Sequence, residues 1–451
     1  MFMGYPGYVA GGSCSECNES RGSFADTHPP RVAGLFDFTS LPAADALRIV
    51  RRLQAAGFVA YLAGGCVRDG LLGLAPKDFD VATDATPEAV RELFGQRRTL
   101  AFGASFGVIG VQGEGPSPTE VATFRCDGTY SDGRRPDHVR YGNAEGDARR
   151  RDYTINGLFY DPIADVVVDF VGGRADLASR IVRAIGDPNL RIGEDKLRML
   201  RAIRFAAMLG FKIDGPTAAA IRQFAAQVTV TSGERIGAEM RRMLGSHGAP
   251  IAIELLAETR LLSVIWPDLE ETPEGLAMAT RLAGAVQPPD FMACVAAICG
   301  ATSADPRRTV ERLSEAWRWS TEEREAVGEA IRHRDIVVRA DRLPWSVVQP
   351  VLIQRYRNTT LAAAEAWAIS TGVSRTGIDQ CHQRIANWPP ERLDPAYWVT
   401  GQTLIELGHR PGPNFKSALA AVRAAQLDGQ IATALEGIAI AESLLRRESN
   451  G

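Results

Sequence analysis

A chain of 451 residues, 45% hydrophobic and 23% charged with a formal net charge of −3, has room for two to four domains and the composition of a globular protein. No apolar run reaches the roughly 18–20 residues that span a bilayer, and the opening MFMGYPGYVAGGSCSECNES lacks the basic-then-apolar pattern of an export signal. The seven cysteines are mostly single and make no disulfide framework, so a reducing, cytoplasmic setting without a membrane partner is expected.

Residues 1–33 are rich in Gly, Ser and Pro and read as a flexible leader. The CxxC of Cys14 and Cys17 has no second pair to complete a zinc site, which leaves it as part of that tail. Leu47, Val50, Leu53 and Ala56 recur at helical spacing and predict a helix over 43–56. FVAYLAGG reads as a buried strand ending in a glycine turn, VRDGLLGL as a short helix, and DFDVAT as the next strand. TPEAVRELFG opens with Thr-Pro, a good helix start, and FGVIGVQG and PTEVATFR read as two strands around a Gly/Ser/Pro turn. From about Glu194 the pattern turns amphipathic and helical to the end, broken by Pro-bearing QPPD, RADRLPW and NWPPERLDP. The fold class is therefore α+β: a mixed strand-and-helix head followed by an all-helical remainder.

The stretch GGCVRDGLLGLAPKDFDVAT, Gly64 to Thr83, concentrates chemistry. Asp78 and Asp80, two apart on a strand, project from one face while Phe79 points into a core. Converging carboxylates repel, and a cation between them relieves the repulsion; hard oxygen ligands select magnesium or manganese. The plain alternative is a chance DxD in a loop. Gly64 and Gly65 let backbone N–H groups approach an anion, and Arg68, one turn into the following helix, reaches the same anion. Phosphoryl transfer needs both a phosphate cradle and metal-binding carboxylates, and Glu120 in PTEVATFR is the candidate third carboxylate; its alternative is an ordinary exposed strand glutamate.

AYLAGGCVRDGLLGLAPKDFDVAT resembles the head signature of the class II nucleotidyltransferases, the CCA-adding tRNA nucleotidyltransferases and related bacterial poly(A) polymerases. The resemblance implies that Gly65 and Arg68 contact nucleotide phosphates and that Asp78 and Asp80 hold Mg2+. RRDYTINGLFYD is similar to the family's RRDFTINA element, which implies a nucleotide contact for Arg151, with Asp152 beside it. DGTYSDGRRPDHVRY resembles the flexible loop that CCA-adding members keep. The implied layout is a catalytic head over 34–180, a helical neck over 181–250, a body over 251–340 and a tRNA-binding tail over 341–451.

GEDKLRMLRAIRFAAMLGF bears on substrate choice. Asp195 and Arg198, three apart on the expected helix, share a face, with Leu197, Leu200, Ile203 and Ala207 on the buried side. An ordinary amphipathic helix with one ion pair is the default reading. The sharper one starts from base edges: cytosine and adenine both offer an amine donor beside a ring-nitrogen acceptor, which a carboxylate and a guanidinium match. Uracil and guanine leave both groups mismatched, at roughly 1–3 kcal/mol each. The stretch resembles the family's EDxxR motif, which implies that Asp195 and Arg198 read the base and that Arg201 and Arg204 support nucleotide binding.

VTGQTLIELGHRPGPNFKSALAAVRAAQLDGQI resembles the tail of the same enzymes; Lys416 and Arg423 are either phosphate contacts or solvated surface. The six histidines are dispersed with no His-Asp pair, so the hydrolase activity of some relatives is expected to be absent, and His333 is read as a surface residue. The expected activity is template-independent addition of CCA to the tRNA 3′ end from CTP and ATP, by two-metal nucleotidyl transfer with release of pyrophosphate. Poly(A) polymerase, a partial CC- or A-adding enzyme, and a catalytically dead RNA-binding module are the alternatives; the sequence does not speak to oligomeric state.

Overall fold

A computed structural model describes residues 34–103, 107–127, 139–269 and 272–449. The leader with Cys14 and Cys17, and residues 128–138 of the predicted loop, lie outside the described residues. The chain forms two compact units: one runs to Arg198 and takes back Lys212–Thr217, and the other comprises Met199–Phe211 and Ala218 onward.

In the first unit, helix α1 (Leu41–Ala55) starts two residues before its predicted limit, with Pro42 in its first turn, and buries Ala46, Ile49, Val50 and Leu53. The first three elements that follow are strand β1 (Ala60–Ala63), helix α2 (Gly65–Leu71) and strand β2 (Asp80–Thr83). Helix α3 (Pro87–Phe94) is capped by Thr86, whose side chain accepts from Ala89 N. Strands β3 (Thr99–Gly103), β4 (Val108–Val111) and β5 (Thr119–Thr123) come next, and a small antiparallel pair, β6 (Arg125–Asp127) with β7 (Val139–Tyr141), brackets residues 128–138. Helix α4 (Ala144–Arg150) leads through a 3-10 turn at Thr154–Asn156 into β8 (Leu158–Asp161) and β9 (Val166–Asp169).

Seven of these strands form one mixed sheet in the order β3-β4-β5-β2-β1-β8-β9. Only β2 and β5 run parallel, with Val81 opposite Val121; β1 pairs antiparallel with β2, Ala63 opposite Asp80. Alternation along these strands gives the sheet two faces. Asp80 and Glu120 lie on one face, and Ala82, Ala63 and Phe159 beside them pack with Phe124 and Ala148 into an apolar cluster. The aspartate pair departs from the sequence reading in one detail: Asp78 and Phe79 precede β2 instead of belonging to it. The predicted alternation survives, with Asp78 and Asp80 exposed and Phe79 8% exposed against the ring of Phe36.

The continuous helix expected from Glu194 is broken. Helix α5 (Gly173–Ser179) is followed by strand β10 (Ile181–Val182) and helix α6 (Pro188–Glu194). Asp195 is extended, with φ −147° and ψ 110°, and α7 (Leu197–Leu209) begins after it. Strand β10 pairs parallel with β11 (Lys212–Ile213), so the region after Glu194 is not wholly helical.

The second unit is helical, and among its described residues no helix is long and apolar enough to cross a membrane. Trp266, Trp317 and Phe291 form an aromatic core in which the Trp317 indole donates to Ile265 O. The helices Thr321–Val338 and Arg357–Thr371 pack along each other over a second core of Val337, Val348, Leu352, Leu361 and Ile378. A third cluster, Val399, Leu404, Val422, Ile431 and Ala441, joins the last helices. His333 is half-buried, within hydrogen-bonding reach of Gln354 and Glu329, and is a packing residue instead of the predicted surface one. Arg423 resolves toward structure: it donates to Pro395 O and Asp394 and lies over the Tyr397 ring, clamping its loop, while Lys416 is exposed.

Candidate functional site

The turn between β1 and α2 sets the site. Gly64 has φ 72° and ψ −124°, a backbone conformation that side chains resist, and a Cβ there would stand 2.9 Å from Arg151 Nη1. Gly65 is different: a Cβ on it would meet only Arg68 Nη2, at an ordinary 3.7 Å. The fold therefore demands glycine at 64, and any demand at 65 comes from what binds beside it.

Arg68, on the last turn of α2, is held on two sides. Its Nε donates to Asp69 at 2.8 Å, and Nη1 donates to the Asn156 carboxamide oxygen at 2.7 Å. Arg151 is held equally firmly: Nε and Nη2 donate to Asp147 at 3.1 and 2.9 Å, Nη1 donates to Asn156 O at 3.2 Å, and the guanidinium lies over Phe159. Asp147 is 2% exposed. Burial pushes its pKa up, but Arg151 and Arg150 together outweigh that, and the net shift is downward. Asp152, 7% exposed, accepts from Tyr153 N and from the Asn156 side chain.

Asp80 faces this arginine turn from the sheet. It has solvent-accessible surface, yet protein atoms crowd its carboxylate. That desolvation, reinforced by Glu120 and Asp78 and opposed by Arg151, pushes its pKa up to about 6. A carboxylate so placed is short of positive charge. The donor set is all hard oxygen, which suits a magnesium-like dication. Among the described residues no three acidic, histidine or cysteine side chains close into a ready-made cage. A site of that kind takes one or two carboxylates and leaves its other positions to water and substrate oxygens. Cys66, buried beside Asp80, has its thiol pushed up to about 12 by burial and stays protonated, which removes it as a nucleophile.

Asp195 and Arg198 do not share a helix face. Asp195 sits in the break, where its carboxylate accepts from Leu197 N and starts α7; a short side chain with a free backbone turn makes a cap more readily than an i, i+3 pair. Arg198, 9% exposed, pairs instead with Glu194, donates to Arg191 O at 2.7 Å, and accepts from the Tyr153 hydroxyl through its own carbonyl. Glu194 also accepts from Arg191 at 3.0 Å, so one carboxylate aligns two arginines. Arg201 and Arg204 belong to the second unit. There Arg204 pairs at 2.5 Å with Glu239, which is 2% exposed, and both arginines lie over the Phe205 ring.

The structure thus brings Gly64, Gly65, Arg68, Arg151, Asp152, Asp78, Asp80 and Glu120 to one end of the first unit, with Asp195 and Arg198 in the same unit. Sequence reasoning missed Asn156, Asp147, Glu194 and Glu239. Asp147 was within reach of the sequence, standing three and four residues before Arg150 and Arg151 on a helix; Glu239, 35 residues from Arg204, was not.

Comparison with known proteins falls on these same parts. The family model of the Poly A polymerase head domain matches residues 60–183, and that of the probable RNA and SrmB-binding site of polymerase A matches 210–272. The CCA-adding enzyme of Geobacillus stearothermophilus is 33% identical over 403 residues, covering 88% of this chain and 96% of its own length. Poly(A) polymerase I of Escherichia coli O6:H1 is 42% identical over 236 residues, half of each chain. The crystal structure of the Bacillus stearothermophilus CCA-adding enzyme in complex with CTP superposes with a TM-score of 0.76 at 30% identity, covering 92% of this chain and all of the other. The Thermotoga maritima CCA-adding enzyme complexed with tRNA, at 20% identity and a TM-score of 0.62 over 90% of this chain and 95% of its own, shares the fold.

Proposed function

This chain belongs to the family that holds the CCA-adding enzymes and the bacterial poly(A) polymerases, and from that premise we propose that it adds CCA to the 3′ end of tRNA from CTP and ATP. One observation carries the choice within the family: the likeness to a CCA-adding enzyme runs through 96% of that enzyme's length, while the likeness to poly(A) polymerase I stops at half. The helical remainder, which receives the RNA, therefore goes with the tRNA enzymes. The division into neck, body and tail follows from the same reading.

In this reading Asp78 and Asp80 hold Mg2+, with Glu120 beside them. When bound, the ion supplies positive charge where the triphosphate accumulates negative charge. Arg68 holds the phosphates from a guanidinium pinned by Asp69 and Asn156, so little ordering is left for the moment of reaction. Arg151 and Asp152 orient the nucleotide. The tRNA 3′-hydroxyl oxygen bonds to the α-phosphorus, the bond to the bridging oxygen breaks, and pyrophosphate leaves without a covalent enzyme intermediate. Asp195 and Arg198 read the base edge, accepting C and A. Glu194 supports this by fixing the arginine before any base arrives.

Poly(A) polymerase is the second reading, favoured by the 42% identity across the head. One assay separates them: tRNA lacking its CCA end, labelled CTP or ATP, and magnesium. Addition that stops at three residues supports the proposal, stopping after CC or adding a single A marks a partial enzyme, and a long ladder from ATP alone overturns it.

A further inference from the structure

Asn156 lies at the junction of the two halves of the site. It ends the 3-10 turn that follows Arg151 and Asp152, is 7% exposed, and makes three contacts with candidate nucleotide-binding residues. Its carboxamide oxygen accepts from Arg68 Nη1 at 2.7 Å, its carboxamide nitrogen donates to Asp152 Oδ1 at 3.1 Å, and its backbone oxygen accepts from Arg151 Nη1 at 3.2 Å. Arg68 belongs to α2, behind the glycine turn, whereas Asp152 and Arg151 belong to the arginine turn some 80 residues later. Of the carboxylates beside it, Asp69 holds Arg68, while Asp147 holds Arg150 and Arg151 and accepts from Arg125 N.

The chemistry fixes which way the amide faces. A guanidinium has donors only and an ionised carboxylate has acceptors only, so Oδ1 must meet Arg68 and Nδ2 must meet Asp152. An amide alone satisfies both. An aspartate would keep the bond to Arg68 but set a second carboxylate against Asp152, and a leucine of similar volume would leave both partners without this bond. Because the bond to Arg151 comes from the backbone, side-chain substitution leaves it in place.

We propose that Asn156 is a positioning residue that sets the phosphate-binding guanidinium of Arg68 and the carboxylate of Asp152 in one register, so that a nucleotide meets both at once. It does not touch the nucleotide. It acts through the two groups that do, and it acts on CTP and ATP alike because neither partner reads the base. This inference rests on the nucleotidyltransferase reading above.

The test uses the full chain with Asn156→Leu, Asn156→Asp, Arg68→Ala and the double variant Asn156→Leu/Arg68→Ala. Equilibrium binding of CTP and of ATP in magnesium is measured beside incorporation kinetics on tRNA lacking CCA. Asn156→Leu weakens both nucleotides about tenfold and raises their KM to match, with KM for tRNA held and Tm within a few degrees. Asn156→Asp falls on the same side with a folded protein, which keeps the test open if the leucine variant does not fold. In the Arg68→Ala background the leucine effect shrinks by about threefold or more, because one of its two partners has gone. Unchanged nucleotide affinity with only a lower Tm, or full effects that multiply without coupling, overturns the proposal. An inactive wild type that still binds CTP and ATP defeats the tRNA reading while the binding cycle goes on to decide the role of Asn156.

Discussion

Asp80 stands beside Glu120 on the sheet's one parallel strand pair, a residue before the register that sets Val81 opposite Val121. Two carboxylates on neighbouring strands of one face repel, and the crowding around Asp80 adds desolvation, which together hold its pKa near 6 against an ordinary 3.8. The folded chain thus binds this proton more tightly than the unfolded one. The contribution to stability is unfavourable above pH 6, fades as pH falls from about 6 to about 4, and is absent below that.

Asp80→Asn accordingly removes activity and stabilises the metal-free protein at pH 8. Solvent reaches part of the carboxylate, so the gain is cut by screening to about 1 kcal/mol, a few degrees in Tm. Thermal unfolding of both proteins in EDTA at pH 8 and pH 4.5 checks it. The stabilisation should be present at the higher pH and lost at the lower, and a variant less stable than wild type at pH 8 contradicts the account.

The two glycines of the turn should separate cleanly. Gly64→Ala meets a positive φ and the Arg151 guanidinium at 2.9 Å, so it costs about 1–2 kcal/mol and displaces Arg151. Gly65→Ala has room, and its Tm should match wild type. If the nucleotide phosphates approach Gly65 as proposed, the added methyl raises KM for CTP and ATP about tenfold while stability holds. Equal loss of stability in both variants would show that the difference in space is not felt.

These contrasts mark what the sequence could carry. Strands β1, β2, β4 and β5 and helices α1 to α3 were legible because each is short, strongly patterned and punctuated by Gly or Pro, and Asp80 followed from its alternation with Phe79, whereas β3, β6 to β9, α4 and α5 were not read. What escaped was set by contacts between distant segments. Asn156 looks like any polar residue until α2 is folded back onto it, and the helix through Asp195 broke because capping by its carboxylate competes with a pattern that read as continuous. Motif resemblance supplied Arg151 and Asp152 where periodicity was silent.

Arg204 shows the same limit with a testable result. The motif implies nucleotide binding, while the structure pairs it with the buried Glu239. Arg204→Ala leaves that carboxylate to Arg242 alone of its two ion-pair partners, at a longer 3.5 Å, and should destabilise the chain by about 2–3 kcal/mol, more than Glu239→Gln combined with Arg204→Met, in which both charges go together. Urea unfolding followed through the tryptophans reads both, and a near-neutral Arg204→Ala would return the residue to a purely nucleotide-binding role.

Base choice gives the sharpest test of the remaining pair. If Asp195 accepts from the exocyclic amine of C and A, Asp195→Asn replaces an acceptor with an amide that can also donate, and the penalty against uracil's carbonyl disappears. CTP use should fall about tenfold or more while the CTP-to-UTP ratio falls by at least a similar factor. Glu194→Gln probes the same selectivity from behind: it removes the charge that aligns Arg198 and Arg191, and with the guanidinium no longer fixed both CTP and ATP should suffer, without a gain for UTP. Single-nucleotide incorporation with each of the four triphosphates distinguishes the two variants. A ratio that Asp195→Asn leaves unchanged would mean that the aspartate serves only as the cap of α7, and that the base is read elsewhere.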